Sequence, residues 1–300
     1  MTGTVAVLYG GPSAERPISL ASGEAVAAAL ERRGYAVARI DAGHDLPEQL
    51  RRVGAARAWI ALHGPFGEDG VVQGCLETMG IAYTGSGVLG SALAMDKLRA
   101  KRVWQGAGIA TPAVAVLGEE TPAAVGERLG WPVMVKPATS GSSLGMAQAA
   151  GPAELETAWA AARTYDDTVV AEAWVAGEEV TVAVLDGEPL PVLALKTRRG
   201  FYDYTAKYGK GAGTEYLHPT GLGAATETAC QELALQAFAA LGCRGWGRVD
   251  LLLGSNGPQV IEVNTVPGMT EHSLVPKAAA HTGIGFDDLV ERILGSARAG

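Results

Sequence analysis

The sequence predicts an α/β unit with a parallel sheet over its first ninety residues, followed by smaller lobes of α+β type. Three observations carry that prediction. Apolar runs of strand length alternate with helix-length segments as far as Leu62. Beyond Thr111, short β-rich runs dominate, with little helix between them. Hydrophobic residues make up 48 % of the 300, enough for a sizeable core, while the 41 glycines are roughly double the usual ~7 % share. The chain has no Gly-X-Y repeat and too much apolar content for disorder. Its glycine surplus is therefore expected in turns, caps and close backbone approaches.

Thr4–Tyr9 reads as a buried strand ending at Gly10-Gly11, and a helix then runs to Gly34 with Val26 and Leu30 on one face. Ala36–Ile40 is a second strand, Leu46–Val53 a short helix, and Ala58–Leu62 a third strand leading into His63-Gly64. Strand, helix and strand at this spacing require parallel pairing, with function at the carboxyl ends of the strands, where Glu15 and His63 stand. The uncharged stretch Thr78–Met95 is broken by Gly80, Gly85, Gly87 and Gly90, so it reads as a turn region and not a membrane span. Ser91–Ala107 reads as a helix closing the unit. Ala113–Leu117, Val133–Lys136, Val169–Val175 and Val180–Leu185 then read as strands, with one helix at Ala153–Thr164. A loop rich in Gly, Tyr and Lys covers Thr197–His218. A helix (Thr226–Leu241), a β-hairpin (Gly247–Asn264) and a final helix (Phe286–Leu294) follow.

Charge and cysteine content narrow the function classes. The 24 Lys+Arg against 32 Asp+Glu give a net charge of −8, which argues against a general nucleic-acid or anionic-membrane binder. Single anionic ligands stay open, because a few placed lysines and backbone amides can hold one. Cys75, Cys230 and Cys243 lack C-x-x-C spacing, so they read as buried thiols of a cytosolic protein. The opening run MTGTVAVLYGG has no basic stretch, and no signal peptide is expected.

Two short patterns invite other chemistry. Gly85-Ser-Gly87-Val-Leu-Gly90 matches G-x-G-x-x-G, yet it comes late, and no acid occurs between Asp96 and Glu119 to meet a ribose. Gly141-Ser142-Ser143-Leu144-Gly145 matches the nucleophile elbow of serine hydrolases, with Ser143 as nucleophile. That elbow should open a helix, whereas Met146-Ala147-Gln148 reads as a returning strand. His218, His272 and His281 keep a hydrolase formally open. No P-loop pattern occurs.

The most informative segment is the hairpin Trp246–Asn264, two apolar strands around a Gly254–Gly257 turn. Centred near Asn256, it sets Asp250 opposite Glu262 and Arg248 opposite Asn264, on one face. Opposed carboxylates ~5 Å apart repel. A hard divalent cation between them removes that penalty, and the all-oxygen set Asp250, Glu262 and Asn264 suits Mg²⁺ better than zinc. A solvated charged face is the alternative, although the intervening residues are nearly all apolar. Magnesium bound this way shares its shell with substrate phosphates. Lys136, interrupting an apolar strand, and the small-residue loop after it offer a cation, amides and hydroxyls. Lys97 and Lys207 are ambiguous singly. Val169–Val175 could supply an apolar slot, with Glu172 as an acid for a purine ribose.

Taken together these segments resemble the ATP-grasp superfamily and, within it, the D-alanine–D-alanine ligases. The resemblance rests on LYGGPSAER (8–16), ALHGPFGEDG (61–70), YTGSG (83–87), MDKLRAK (95–101), VKPATSGSSLGM (135–146), FYDYTAKY (201–208), GWGRVD (245–250) and EVNTVPGMTEHSLVP (262–276). These blocks, in order, span nearly the whole chain; the elbow pattern falls inside one of them, and the glycine pattern begins in another. The resemblance implies a three-domain ATP-grasp fold with an N-terminal parallel-sheet domain. Residues 1–94 would carry the first D-alanine site and a dimer interface. Residues 95–173 would form the central lobe, and residues 174–300 the C-terminal lobe with the magnesium site and a lid loop.

By the same resemblance, Lys97, Lys136, Ser143, Glu172, Glu179 and Lys207 hold ATP, with Trp174 and Val175 beside adenine. Asp250, Glu262 and Asn264 bind two Mg²⁺, with Mn²⁺ able to substitute. Glu15 receives the ammonium of the first D-alanine, with His63 nearby, and Ser142 and Tyr208 complete a hydrogen-bonded set with Glu15. Ser273 and the Leu274 amide bind the carboxylate of the second D-alanine, and Arg248 with the Gly268 amide forms an oxyanion hole. The implied enzyme is a cytoplasmic homodimer that joins two D-alanines through an acyl phosphate for peptidoglycan precursors, with no nucleic-acid or membrane partner. Tyr208 favours the dipeptide over D-alanyl-D-lactate. Thr139-Ser140, where a charged residue is common, and Val266 depart from the familiar pattern. A ligase of other amino or hydroxy acids, a serine hydrolase and a nucleotide-binding module are the rival readings.

Overall fold

The computed structural model describes residues 3–141, 143–196 and 215–300. Strands β1 (Thr4–Tyr9), β2 (Val37–Asp41), β3 (Ala55–Ile60) and β4 (Ala82–Tyr83) form a sheet of order β2-β1-β3-β4, parallel throughout. Val5 to Leu8 are fully buried, as a strand covered on both faces requires. Helix α1 (Arg16–Arg32) has Pro17 in its first turn and ends near Gly34, whose φ of +81° suits a left-handed stop.

Helices α2 (Leu46–Val53), α3 (Val71–Thr78), α4 (Val88–Met95) and α5 (Lys97–Gly106) complete this part of the chain. Of the expected turn region Thr78–Met95, Ala82–Tyr83 is strand β4 and Val88–Met95 is helix α4, with turns only outside these elements. The single helix expected over Ser91–Ala107 is broken at Asp96. That residue takes extended backbone angles and caps α5 by accepting from Arg99 N at 2.9 Å. Gly90 lies where this region meets the later lobe, and a Cβ there would come within 2.9 Å of Gly242 O. The glycine pattern 85–90 thus serves a close packing joint.

Strands β5 (Val114–Val116), β6 (Val133–Pro137), β7 (Ala147–Ala149) and β8 (Val169–Ala173) form an antiparallel sheet of order β5-β8-β6-β7. Two helices lie in this stretch where one was expected, α6 (Pro122–Leu129) and α7 (Pro152–Ala162). The return after Met146 is strand β7, with no helix.

The third sheet is built from β9 (Glu178–Leu185), β10 (Glu188–Pro189), β11 (Leu193–Lys196), β12 (Glu215–Leu217), β13 (Trp246–Gly254) and β14 (Gly257–Asn264). Its order is β12-β11-β9-β13-β14, with β10 on β9. Helix α8 (Ala224–Ala240) packs on this sheet, burying Cys230, Ala234, Ala237 and Phe238. Helices α9 (Leu274–Ala280) and α10 (Phe286–Gly295) follow. Helix α10 returns to the first unit: Leu289, Val290, Ile293 and Leu294 share one core with Val5, Leu8 and Leu30. Arg32 and Asp287 close that seam at 2.6 Å. The loops carrying the site are thereby braced from both ends of the chain.

Candidate active site

The β13–β14 hairpin pairs Arg248 with Asn264, Val249 with Val263 and Asp250 with Glu262, as the spacing predicts. The register then shifts by one, because Leu251 faces Val260 and Ile261 is bulged out. Asp250 is buried and both its oxygens are occupied. It accepts from Arg248 Nε (2.8 Å) and Nη2 (2.7 Å), Thr181 Oγ1 (2.6 Å) and Asn264 Nδ2 (3.0 Å). Glu262 lies 3.9 Å from Lys97 Nζ. Cationic side chains therefore meet the repulsion between the opposed carboxylates.

Among the described residues no group of three or more His, Cys, Asp or Glu is placed to hold a metal. The set Asp250, Glu262 and Asn264 counts two carboxylates and an amide, all oxygen donors, which is chemistry that fits Mg²⁺. Asn264 gives its amide N–H to Asp250, so its carbonyl oxygen remains for coordination.

Two cavities flank this hairpin. One, of about 450 Å³, lies beyond the carboxyl ends of β1 and β3 and is lined by Glu15, His63, Arg248, Asn264, Gly268, Ser273 and Leu274. The other, of about 470 Å³, opens between the second and third sheets and is lined by Lys136, Ser143, Glu172, Trp174, Val175 and Glu179. Lys97 and Glu262 line both, so the cavities meet where the metal-type donors begin. Ser142, Lys207 and Tyr208 lie outside the described residues, as does most of the Thr197–His218 loop.

In the second cavity Lys136 Nζ donates to Glu172 Oε2 at 2.9 Å, both groups being buried. Sequence reading missed Lys101, which is fully buried one turn along α5 from Lys97. Its ammonium lies 3.4 Å from Glu172 Oε1 and donates to Thr111 Oγ1 at 2.9 Å. Burial, offset only in part by Glu172, pulls Lys101 down to about 8. Burial also pushes the Glu172 carboxyl up, but Lys101 and Lys136 outweigh it and leave the group below its ordinary value. The i, i+4 lysine spacing in MDKLRAK was the available signal. Ser143 holds φ +58°, yet no histidine lines its cavity among the described residues, so the hydrolase reading loses its base.

In the first cavity the glycines make room for Glu15. A Cβ at Gly64 would approach Glu15 Oε2 to 2.8 Å, and one at Gly141 would approach Oε1 to 3.0 Å. Glu68, also missed, accepts from Gly64 N at 2.7 Å. Burial, then the neighbouring Glu15 carboxylate, push Glu68 up to about 8. Ser273 precedes α9, and its Oγ accepts from Thr270 N at 3.0 Å.

Comparison with known proteins bears on this arrangement. The family described as D-ala D-ala ligase C-terminus matches residues 103–295, and D-ala D-ala ligase N-terminus matches residues 44–86. The chain is 55 % identical to a D-alanine–D-alanine ligase of Halorhodospira halophila, over 98 % of this chain and 96 % of that one. It is 54 % identical to one of Stutzerimonas stutzeri, over 97 % and 93 % respectively. Among solved structures it is similar to the D-alanine–D-alanine ligase of Bacillus anthracis complexed with ATP. That likeness has a TM-score of 0.87 and 32 % identity, and covers 98 % of this chain and 97 % of that chain.

Proposed function

The chain belongs to the D-alanine–D-alanine ligase family, and from that premise we propose how its residues join two D-alanines at the expense of ATP. The observation that carries the assignment is the junction of two cavities at Lys97 and Glu262. A nucleotide in one cavity and amino acids in the other meet only there. The adenine end lies by Trp174 and Val175, with Lys136, Ser143, Glu172 and Glu179 around the nucleotide. The phosphates run toward Lys97. Asp250, Glu262 and Asn264 would hold two Mg²⁺ (Mn²⁺ able to substitute), Asp250 by giving up part of its present hydrogen bonding, and the ions would neutralise phosphate charge.

Glu15 receives the ammonium of the first D-alanine, so that the carboxylate of this D-alanine faces the γ-phosphate and attacks it. Attack forms an acyl phosphate and releases ADP. Ser273 and the Leu274 amide hold the carboxylate of the second D-alanine, whose amine attacks the acyl carbon and expels phosphate. Arg248 and the Gly268 amide receive the charge that develops on the oxygen, a preorganised arrangement in a dry site. Ser142, Lys207 and Tyr208 join the site from outside the described residues. The product is a dipeptide for peptidoglycan precursors, and the reaction is placed in the cytoplasm, where ATP is supplied.

We also propose a homodimer formed through residues 1–94, where Val71 (55 % exposed), Val88 (38 %) and Leu89 (68 %) are large apolar side chains left exposed. The division 1–94, 95–173 and 174–300 follows the same reading. The net charge of −8 supports the absence of a nucleic-acid partner, and no helix among the described residues is long and apolar enough to cross a membrane.

The acyl-phosphate step is tested with D-alanine carrying ¹⁸O in its carboxylate. One labelled oxygen should appear in each phosphate released, and unlabelled phosphate would refute the step.

A further inference from the structure

The segment Val266–Met269 carries the Gly268 amide, and it is held by side chains from the opposite end of the chain. Val266 N donates to Glu68 Oε1 (3.2 Å), Val266 O accepts from His63 Nδ1 (2.8 Å), and Met269 N donates to Ser22 Oγ (3.0 Å). A fourth contact, Ser22 Oγ to His63 Nε2 at 3.2 Å, joins two of these anchors. Ser22 lies on α1 with no solvent exposure, and His63 is 6 % exposed just past β3.

The roles of the two groups follow from their neighbours. Val266 O can only accept, so His63 Nδ1 carries a hydrogen. Met269 N–H occupies a lone pair of Ser22 Oγ, which leaves the Ser22 hydroxyl hydrogen for His63 Nε2. Burial holds the ring neutral by pulling its pKa down to about 4, in keeping with that tautomer. Both ring nitrogens are then occupied, and neither is left to take a proton from an amino acid in the cavity. His63, although it lines that cavity, is committed to holding a backbone.

We propose that Ser22 is a positioning residue for ligation: with His63 it clamps the Val266–Met269 segment against the first unit and so fixes the Gly268 amide. This rests on the oxyanion role given to Gly268 above. Gly268 sits between the anchored residues Val266 and Met269 and lines the first cavity, so slack at either anchor displaces its amide. A displacement of ~1 Å at a reacting centre can cost ~10²-fold in rate. Ser22 lines neither cavity, so its effect reaches the substrate only through the segment it holds.

Ser22→Ala tests this, because it removes one oxygen without adding bulk to the core. The expected result is a kcat lower by ~10–100-fold, with the KM for ATP within ~2-fold of the parent value. Hydrogen exchange at the Met269 amide should accelerate while β1 and β13 stay protected. Combined with His63→Ala, the loss should exceed that of His63→Ala alone by no more than ~3-fold, since the two act as one clamp. An unchanged kcat, unchanged Met269 exchange, or fully additive losses would each overturn the clamp. If the parent enzyme ligates D-alanine while these tests fail, the clamp alone is wrong. If the parent does not ligate D-alanine, the functional reading is wrong, and amide exchange still decides the clamp.

Discussion

Glu172→Gln removes the single carboxylate that lies between two buried ammonium groups while keeping its shape. Glu172 is 2 % exposed, with Lys136 at 2.9 Å and Lys101 at 3.4 Å. At an effective dielectric constant of ~20 those contacts represent about 6 and about 5 kcal/mol of Coulombic attraction. Desolvation and repulsion between the lysines offset much of that, so the net cost of breaking the group is about 3–5 kcal/mol. The perturbation should also depend on pH. Lys101 titrates at about 8 in the folded enzyme and moves lower once Glu172 no longer offsets its burial. The unfolded chain keeps an ordinary lysine near ~10.4, so the folded variant sheds a proton that the unfolded variant retains. Relative to the parent enzyme the variant therefore gains stability as pH rises, starting below pH 8. The raised Glu68 carboxyl destabilises both alike over that range and cancels in the difference. Urea denaturation at pH 6, 7 and 8 should show the largest deficit at pH 6 and a narrowing gap by pH 8. A deficit under ~1 kcal/mol at pH 6, or a gap that widens as pH rises, would refute the buried two-lysine cluster.

Other substitutions separate the roles of the two cavities and the surface. Glu262→Gln should lower kcat by at least ~10²-fold at ordinary Mg²⁺ with the circular dichroism unchanged, and near-normal turnover would remove Glu262 from the metal set. Ser143→Ala should raise the KM for ATP a few-fold with kcat close to the parent value, as loss of one nucleotide hydrogen bond implies. A kcat loss of several orders would instead make Ser143 a nucleophile. Leu89→Asp should convert a dimer to a monomer by light scattering, and a dimer that persists would move the interface elsewhere.

The hairpin was legible because its alternation and its glycine turn act locally, and the three pairs that matter stand in the expected register. The bulge at Ile261 was not, since one extra residue in an apolar run leaves no mark on composition. Helices α3, α6 and α9 have only 8, 8 and 7 residues, too short for a clear 3.6-residue period. Thr121-Pro122 was a usable start signal for α6, because Thr121 Oγ1 accepts from Ala124 N at 3.3 Å. Glu15, Arg248 and Ser273 stand in motif blocks, and so does Lys101, whose burial could nevertheless not be read there. Its burial depends on Pro112 and on Glu172, 71 positions away in the chain by number, neither of which helical spacing reveals. The Ser22 and His63 anchors were equally silent, because their shared target is more than 200 residues away.

The central claim is tested most directly by following ADP release from ATP and Mg²⁺ with one amino acid added at a time, together with chromatography of the product. D-Alanine should accelerate ADP release and yield D-alanyl-D-alanine in equal amount, while L-alanine and D-lactate leave the rate near background. Stimulation by L-alanine but not D-alanine, or ADP release with no dipeptide formed, would contradict the account.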